Sequence, residues 1–212
     1  MVFYFTCKAH DPPLVIYMGE DKTVNEELIK YGWPNDVWFH VDKMSSAHVY
    51  LRLPEFMTWT DIPDDVVREC ALLVKANSIE GSKLASVSVK YTPWNNLKKT
   101  ADMDVGQIGF HNEKNVRTID VKKDAILLKK LNRTKEQRTP DLKAEKEDME
   151  RETRAKEKAE MREKRKRDKV ETERRKKEEE VRSYKSLMKT EHMKSNEYVG
   201  EVDLNALDDD FM

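Results

Sequence analysis

The sequence predicts an α+β fold, a small mixed sheet with packed helices, followed by a long charged helix. Three observations carry that prediction. Strand-like runs rich in aromatic and β-branched residues fill the first part of the chain without strict βαβ alternation. All four tryptophans, Trp33, Trp38, Trp59 and Trp94, lie within the first hundred residues, so a core can be built there. After Pro140 the chain changes character. Of the 42 residues from Asp141 to Arg182, 32 are Asp, Glu, Lys or Arg, and none is Gly, Pro or aromatic.

Taken in order, MVFYFTCK and PPLVIYMG read as two strands joined at AHDPP. TVNEELIKYG reads as a short helix capped by Thr23 or Asn25 and stopped by Gly32. DVWFHVDKMSSAHVYLRL supplies a hairpin. In TDIPDDVVRECALLVKANSI, Pro63 sits near the first helical turn and Asp64 and Asp65 suit its positive end. Val66, Val67, Cys70, Leu73 and Val74 form its apolar face. SVSVKY is a further strand, TPWNNLKKTADMDVGQIGF is irregular with glycines at 106 and 109, VRTIDV is a last strand, and KKDAILLKKL is a short amphipathic helix. These boundaries put the domain at 1–124, a helix and linker at 125–140, the charged helix at 141–190 and a tail at 191–212. The closing NEYVGEVDLNALDDDFM has six acids and no base, which predicts disorder.

Charge and cysteine usage narrow the function classes. Residues 1–124 hold 15 Lys and Arg against 18 Asp and Glu, so contact with nucleic acid must use a local patch. Cys7 and Cys70 are too few for a disulfide framework and fit a reducing compartment. No stretch approaches the roughly 20 apolar residues of a spanning helix. The expected location is the cytoplasm or nucleus, with peripheral membrane association as the alternative.

The hairpin holds the densest group of candidate residues. Alternation along each strand puts Val37, Phe39 and Val41 with Ala47, Val49, Leu51 and Leu53 on the core side. Trp38, His40 and Asp42 then face away, beside His48, Tyr50 and Arg52, and either register brings His40 close to His48. Lys90 joins this outer face if SVSVKY pairs with Val87, Val89 and Tyr91 inward. Two readings stand. Left exposed, the face stacks bases and neutralises phosphates, as single-stranded nucleic acid requires. Covered by a helix, its aromatic residues are a second core layer. If a protonated His40 or His48 contacts phosphate, binding tightens below about pH 6.5. Trp94, Lys98 and Lys99, just before the glycines at 106 and 109, form a further candidate phosphate grip, or else an ordinary exposed loop.

Enzyme readings are weaker. Asp42, Ser45 or Ser46 and His48 supply the residue types of a hydrolase triad, but they crowd one turn and lack a GxSxG elbow. His40 and His48 have no third metal ligand nearby, and Cys70 lies on an apolar helix face without an activating base. The sequence therefore predicts no catalysis, no metal and no cofactor.

Within the charged segment, acid-before-base pairs at i,i+4 such as Glu147/Arg151, Glu160/Lys164 and Glu171/Arg175 each add about 0.2–0.5 kcal/mol to a helix. Leu142, Met149 and Val170 share a heptad position that Lys156 and Glu163 interrupt, which favours a solitary helix over a homodimeric coiled coil. Between Arg162 and Lys177, ten basic residues outnumber four acids, and Lys164, Arg165, Lys166, Arg167, Arg174, Arg175, Lys176 and Lys177 form its two clusters. This basic island suits a solvated face, a nuclear-localisation signal, a phosphate backbone or anionic lipid.

DVWFHVDKMSSAHVYL resembles the signature hairpin of the R domain of the NFACT proteins, the large factors of ribosome-associated quality control. KKTADMDVGQIGF resembles the later Lys-Thr-Ala and glycine-containing stretch of the same domain. The resemblance implies an α+β domain that binds RNA and has no catalytic activity. It selects Asp36, Trp38, His40, Ser46, His48, Lys99, Thr100 and Gly106, and it favours the exposed reading of the hairpin face. The expected protein is thus a non-enzymatic binder of RNA or DNA, linked to translation. Trp38, His40, His48 and Tyr50 would meet bases or sugars and Arg52, Lys98 and Lys99 would hold phosphates, with Lys90 and Trp94 as further nucleic-acid-binding candidates. The alternatives are a DNA-binding receptor or adaptor at a membrane, and a scaffold whose helix engages ribosome-associated or other protein partners.

Overall fold

The computed structural model describes residues 1–183; the predicted end of the charged helix and the acidic tail at 191–212 lie outside the described residues. In chain order the elements are β1 (Val2–Cys7), β2 (Leu14–Gly19), α1 (Lys22–Lys30), β3 (Asp36–Val41), β4 (Val49–Arg52), α2 (Asp64–Ala76) and β5 (Ser86–Pro93). A 3-10 turn (Trp94–Asn96) leads into β6 (Leu97–Lys98) and β7 (Gly109–Phe110). A second such turn (Glu113–Asn115) precedes β8 (Arg117–Lys122), α3 (Ala125–Asn132), β9 (Glu136–Arg138) and α4 (Leu142–Ser183).

The fold is α+β. Its main sheet has the order β8-β5-β3-β4-β2-β1-β9, and every pairing is antiparallel rather than mixed. On one face, α2 lies across β3, β4, β5 and β8, and α3 packs against α2 and β1. Val37, Phe39, Val41, Val49 and Leu51 meet Val66, Val67, Cys70, Leu73 and Val74 there, as the alternation and the helix stripe predict. The other face is not open. Val2, Tyr17, Trp38 and Tyr50 are buried with Leu28 and Ile29 of α1, and Trp94, Leu97 and Phe110 pack over them.

That second layer depends on local details of α1. Asp21, rather than Thr23 or Asn25, caps the helix by accepting from the Val24 N–H at 2.8 Å. The helix therefore starts at Lys22, which turns Asn25, Leu28 and Ile29 toward the sheet. Past its end, a Cβ on Gly32 would fall 2.1 Å from the Trp94 indole nitrogen, so only glycine admits that ring.

Strand β9 has no counterpart in the expected elements. Glu136, Gln137 and Arg138 are all exposed and carry no apolar signal, yet they pair with Val2–Tyr4 at the sheet edge. Leu131 of α3 is buried too, and one compact unit runs Met1–Arg151. Helix α4 carries no buried residue; Met161 and Val170 are 59% and 67% exposed. Its ion pairs include Lys143–Glu147, Asp148–Arg151, Glu163–Lys166 and Arg174–Glu178.

Candidate nucleic-acid interface

The hairpin residues assemble into a buried polar network. Asp36, fully buried, accepts from the Tyr17 hydroxyl at 2.5 Å, the Trp33 N–H at 2.8 Å and Arg52 Nε at 3.0 Å. Arg52 also lies over the Trp33 ring, 3.7 Å from its centroid. Burial opposes the arginine's charge, but Asp36 and the Tyr17 hydroxyl outweigh it and hold the guanidinium firmly protonated. Two rows along, the Trp38 indole donates to His48 Nδ1 at 2.9 Å. The His40 and His48 rings meet edge to face at 4.8 Å, the proximity the hairpin register predicts. Ser46 Oγ accepts from the Val41 N–H and closes the turn.

This network overturns the exposed reading. Trp38, His48 and Tyr50 are 3%, 8% and 0% exposed, so none of them offers a face to a base. The physical reason is that α1 and the 94–110 segment need an apolar seat, and the outer hairpin face provides it. Burial acts on the histidines too. Burial, with His40 and Lys99 adding to it against a backbone hydrogen bond at Gly106, pushes the His48 pKa down to about 3. Burial also lowers that of His40, which remains half-buried and stacked on Trp38. Lys90 does stand on this face, but it pairs with Asp42 at 2.8 Å. Trp94 is half-buried; its indole donates to the Ile29 carbonyl, and Lys146 covers its ring at 4.9 Å.

The lysine segment behaves differently. Lys99 Nζ reaches Glu26 Oε1 at 3.0 Å and the carbonyls of Asp104 and Gln107 at 2.8 and 3.1 Å, which uses its three N–H bonds. The same Glu26 oxygen accepts from the Gly106 N–H at 2.8 Å, where φ is +87° and glycine is favoured. Loop 99–107 is thereby stapled to α1, and Lys99 acts as its pin. Lys98 is exposed beside it. With Lys30 from the last turn of α1, Thr100 and His111, it lines an open groove of about 670 Å³ whose acidic members are Glu26 and Glu27. Lys30 and His111 escape sequence reading because the groove joins segments about seventy residues apart. The basic-island residues Lys164, Arg165, Lys166, Arg167, Arg174, Arg175, Lys176 and Lys177 are exposed along α4.

An antiparallel sheet covered on both faces, with a basic groove beside a stapled loop and a charged helix in the same chain, defines the class. Residues 1–112 match the family model described as the NFACT protein RNA binding domain. The chain belongs to that family, and to the group of coiled-coil domain-containing protein 25 within it. The protein of that name from Danio rerio is 60% identical over 198 residues, covering 93% of this chain and 96% of its own. A homologue from Dictyostelium discoideum is 56% identical over 214 residues and covers the whole of both chains. The C-terminal part of the fibronectin/fibrinogen-binding protein from Streptococcus suis shares the fold. Its TM-score is 0.50 at 20% identity, over 60% of this chain and 48% of that one.

Proposed function

We propose that the chain is a non-enzymatic RNA-binding protein whose domain holds the phosphate backbone in the groove between α1 and β6. Membership in the family of the NFACT protein RNA binding domain is the observation that carries the reading. The groove supports it, because Lys30, Lys98 and His111 converge there on a domain that otherwise has no basic excess. Lys99 and Gly106 hold the loop that presents Lys98. The basic island of α4 is a second, sequence-independent phosphate contact. A place in translation or ribosome-associated quality control rests on the family resemblance alone, and co-sedimentation of the chain with ribosomes tests it.

The deciding experiment titrates the full chain with labelled single-stranded RNA, single-stranded DNA and duplex DNA over a salt series. Log affinity should fall with log salt, and Lys30→Ala and Lys98→Ala should each weaken binding and lower the slope by about one phosphate contact. Salt-independent binding, or wild-type affinity in both variants, would remove the groove from the mechanism. Tighter binding to DNA than to RNA would change the ligand and keep the site.

A further inference from the structure

A cleft of about 340 Å³ lies between the C-terminal half of α2 and α3, on the face of the sheet opposite α1. That volume falls within the range of small-ligand pockets. Buried Leu72 and half-buried Ala76 line it from α2, and half-buried Leu128 from α3. Lys75, Lys123 and Lys129 stand among them. The lining is thus aliphatic and cationic, and no aromatic side chain is present among its described residues.

The charge of these lysines is uncompensated. Lys75 is 2% exposed, and its Nζ donates to the carbonyls of Gly81 and Leu84 at 2.8 and 2.5 Å. Both acceptors are neutral, so an ammonium is buried without a carboxylate, which disfavours its charged form. Burial lowers the Lys75 pKa accordingly, and Lys123 adds to the effect. Asp124 is the one acid among the described lining residues, and its oxygens are engaged elsewhere. One lies 3.4 Å from Arg68, and the other accepts from the Leu127 N–H at 3.0 Å. Lys123 and Lys129 are exposed, so a ligand can meet them directly.

A ligand suited to this cleft has an apolar body and one anionic end. Walls without aromatic rings give a nucleobase nothing to stack on, which separates the cleft from RNA recognition. We propose that it binds a single-chain anionic amphiphile, with the aliphatic chain against Leu72, Ala76 and Leu128 and the head group against Lys123 and Lys129. The head group also offsets the buried charge of Lys75 through space, without touching it. This site goes beyond the RNA-binding reading and does not depend on it, because the phosphate groove belongs to the α1 face.

The test adds decanoate, decyl phosphate, uncharged decanol and cationic decyltrimethylammonium to the full chain, each below its micelle concentration, and follows methyl NMR signals. At least one of the two anions should move the Leu72 and Leu128 methyls saturably, and the tighter one names the head group as carboxylate or phosphate. That anion should bind at least fivefold more tightly than decanol, and decyltrimethylammonium should leave the signals in place. Lys123→Glu, at an exposed position, should weaken the anion at least fivefold and leave decanol unchanged. Ala76→Leu, which fills the cleft, should weaken both if the variant folds. Lys98→Ala should change neither. No saturable shift with either anion, equal binding of anion and decanol, or unchanged anion affinity in Lys123→Glu overturns the assignment, whatever the chain does with RNA.

Discussion

The two faces of the sheet are built from the same alternating strands but by different chemistry. The sheet side of the α2 face is dominated by apolar groups: Val37, Val41, Val49, Leu51, Leu73 and Val74 carry no polar side-chain atoms, and the charged groups buried there, Glu69 and Lys75, come from α2 itself. The α1 face buries Tyr17, Trp38 and Tyr50 with their polar atoms, together with Asp36, Asn25 and His48. Each such group must find a partner, so this face is specified by hydrogen bonds as well as by volume. The difference teaches where function can reside. An apolar face can stabilise a fold, whereas a hydrogen-bonded face also fixes the loops that cover it, here 94–110, and with them the groove beside β6.

The largest expected break of that comparison is Asp36→Ala. It strands the Arg52 guanidinium and the Tyr17 hydroxyl together, and breaking a buried pair costs about 3–5 kcal/mol. Phe39→Leu on the opposite face removes volume and the stacking on Tyr91 but strands no polar group, and should cost less. Urea denaturation of the two variants compares them directly, and equal losses would mean that the polar network organises nothing.

A smaller effect comes from pH. His48 has a folded pKa near 3, below its unfolded value of about 6.5, so the unfolded chain takes up the proton first. Its contribution to stability is complete above about pH 6.5 and declines as pH falls toward 3, by about 1.4 kcal/mol per pH unit. Between pH 6.5 and 5, before most carboxylates titrate, wild type should lose stability faster than His48→Gln. The lowered His40 pKa acts in the same direction and is retained in both proteins. Parallel stability profiles would show that His48 is not the group responsible. RNA affinity should gain nothing from His48 protonation over the same range.

The smallest effect belongs to α4. Glu163 and Lys166 are each more than 60% exposed and 3.5 Å apart, so Glu163→Ala should change helix stability by less than about 0.5 kcal/mol. Circular dichroism melting of the full chain checks this, and a larger loss would show that the exposed pair has an additional structural role.

Much of this was legible beforehand for identifiable reasons. The period-two pattern of Val37–Val41 and the stripe from Val66 to Val74 name one core face correctly because burial there follows directly from apolarity. The His40–His48 proximity follows from strand parity. Strand β9 was invisible because its three residues are all polar and exposed, so they carry none of the apolar alternation that marks a strand. The N-cap of α1 was misplaced because Asp21, Thr23 and Asn25 are all competent caps, and packing chooses among them.

The outer hairpin face marks the boundary between the two kinds of knowledge. Sequence alone determined that Trp38, His40, His48, Tyr50 and Arg52 share a side, because strand alternation is a local property of the backbone. It also determined the division into an aromatic-rich domain and a charged helix, because core building requires apolar residues and α4 has few. Only the tertiary structure decided that this side is covered, that Lys99 is spent on Glu26 and two loop carbonyls, and that Asn25 turns inward to accept from the Tyr50 hydroxyl. Those outcomes depend on segments distant in the chain, such as Glu26 with Lys99 and Trp94 with Gly32. Which of several chemically adequate contacts forms is settled by packing the whole domain at once.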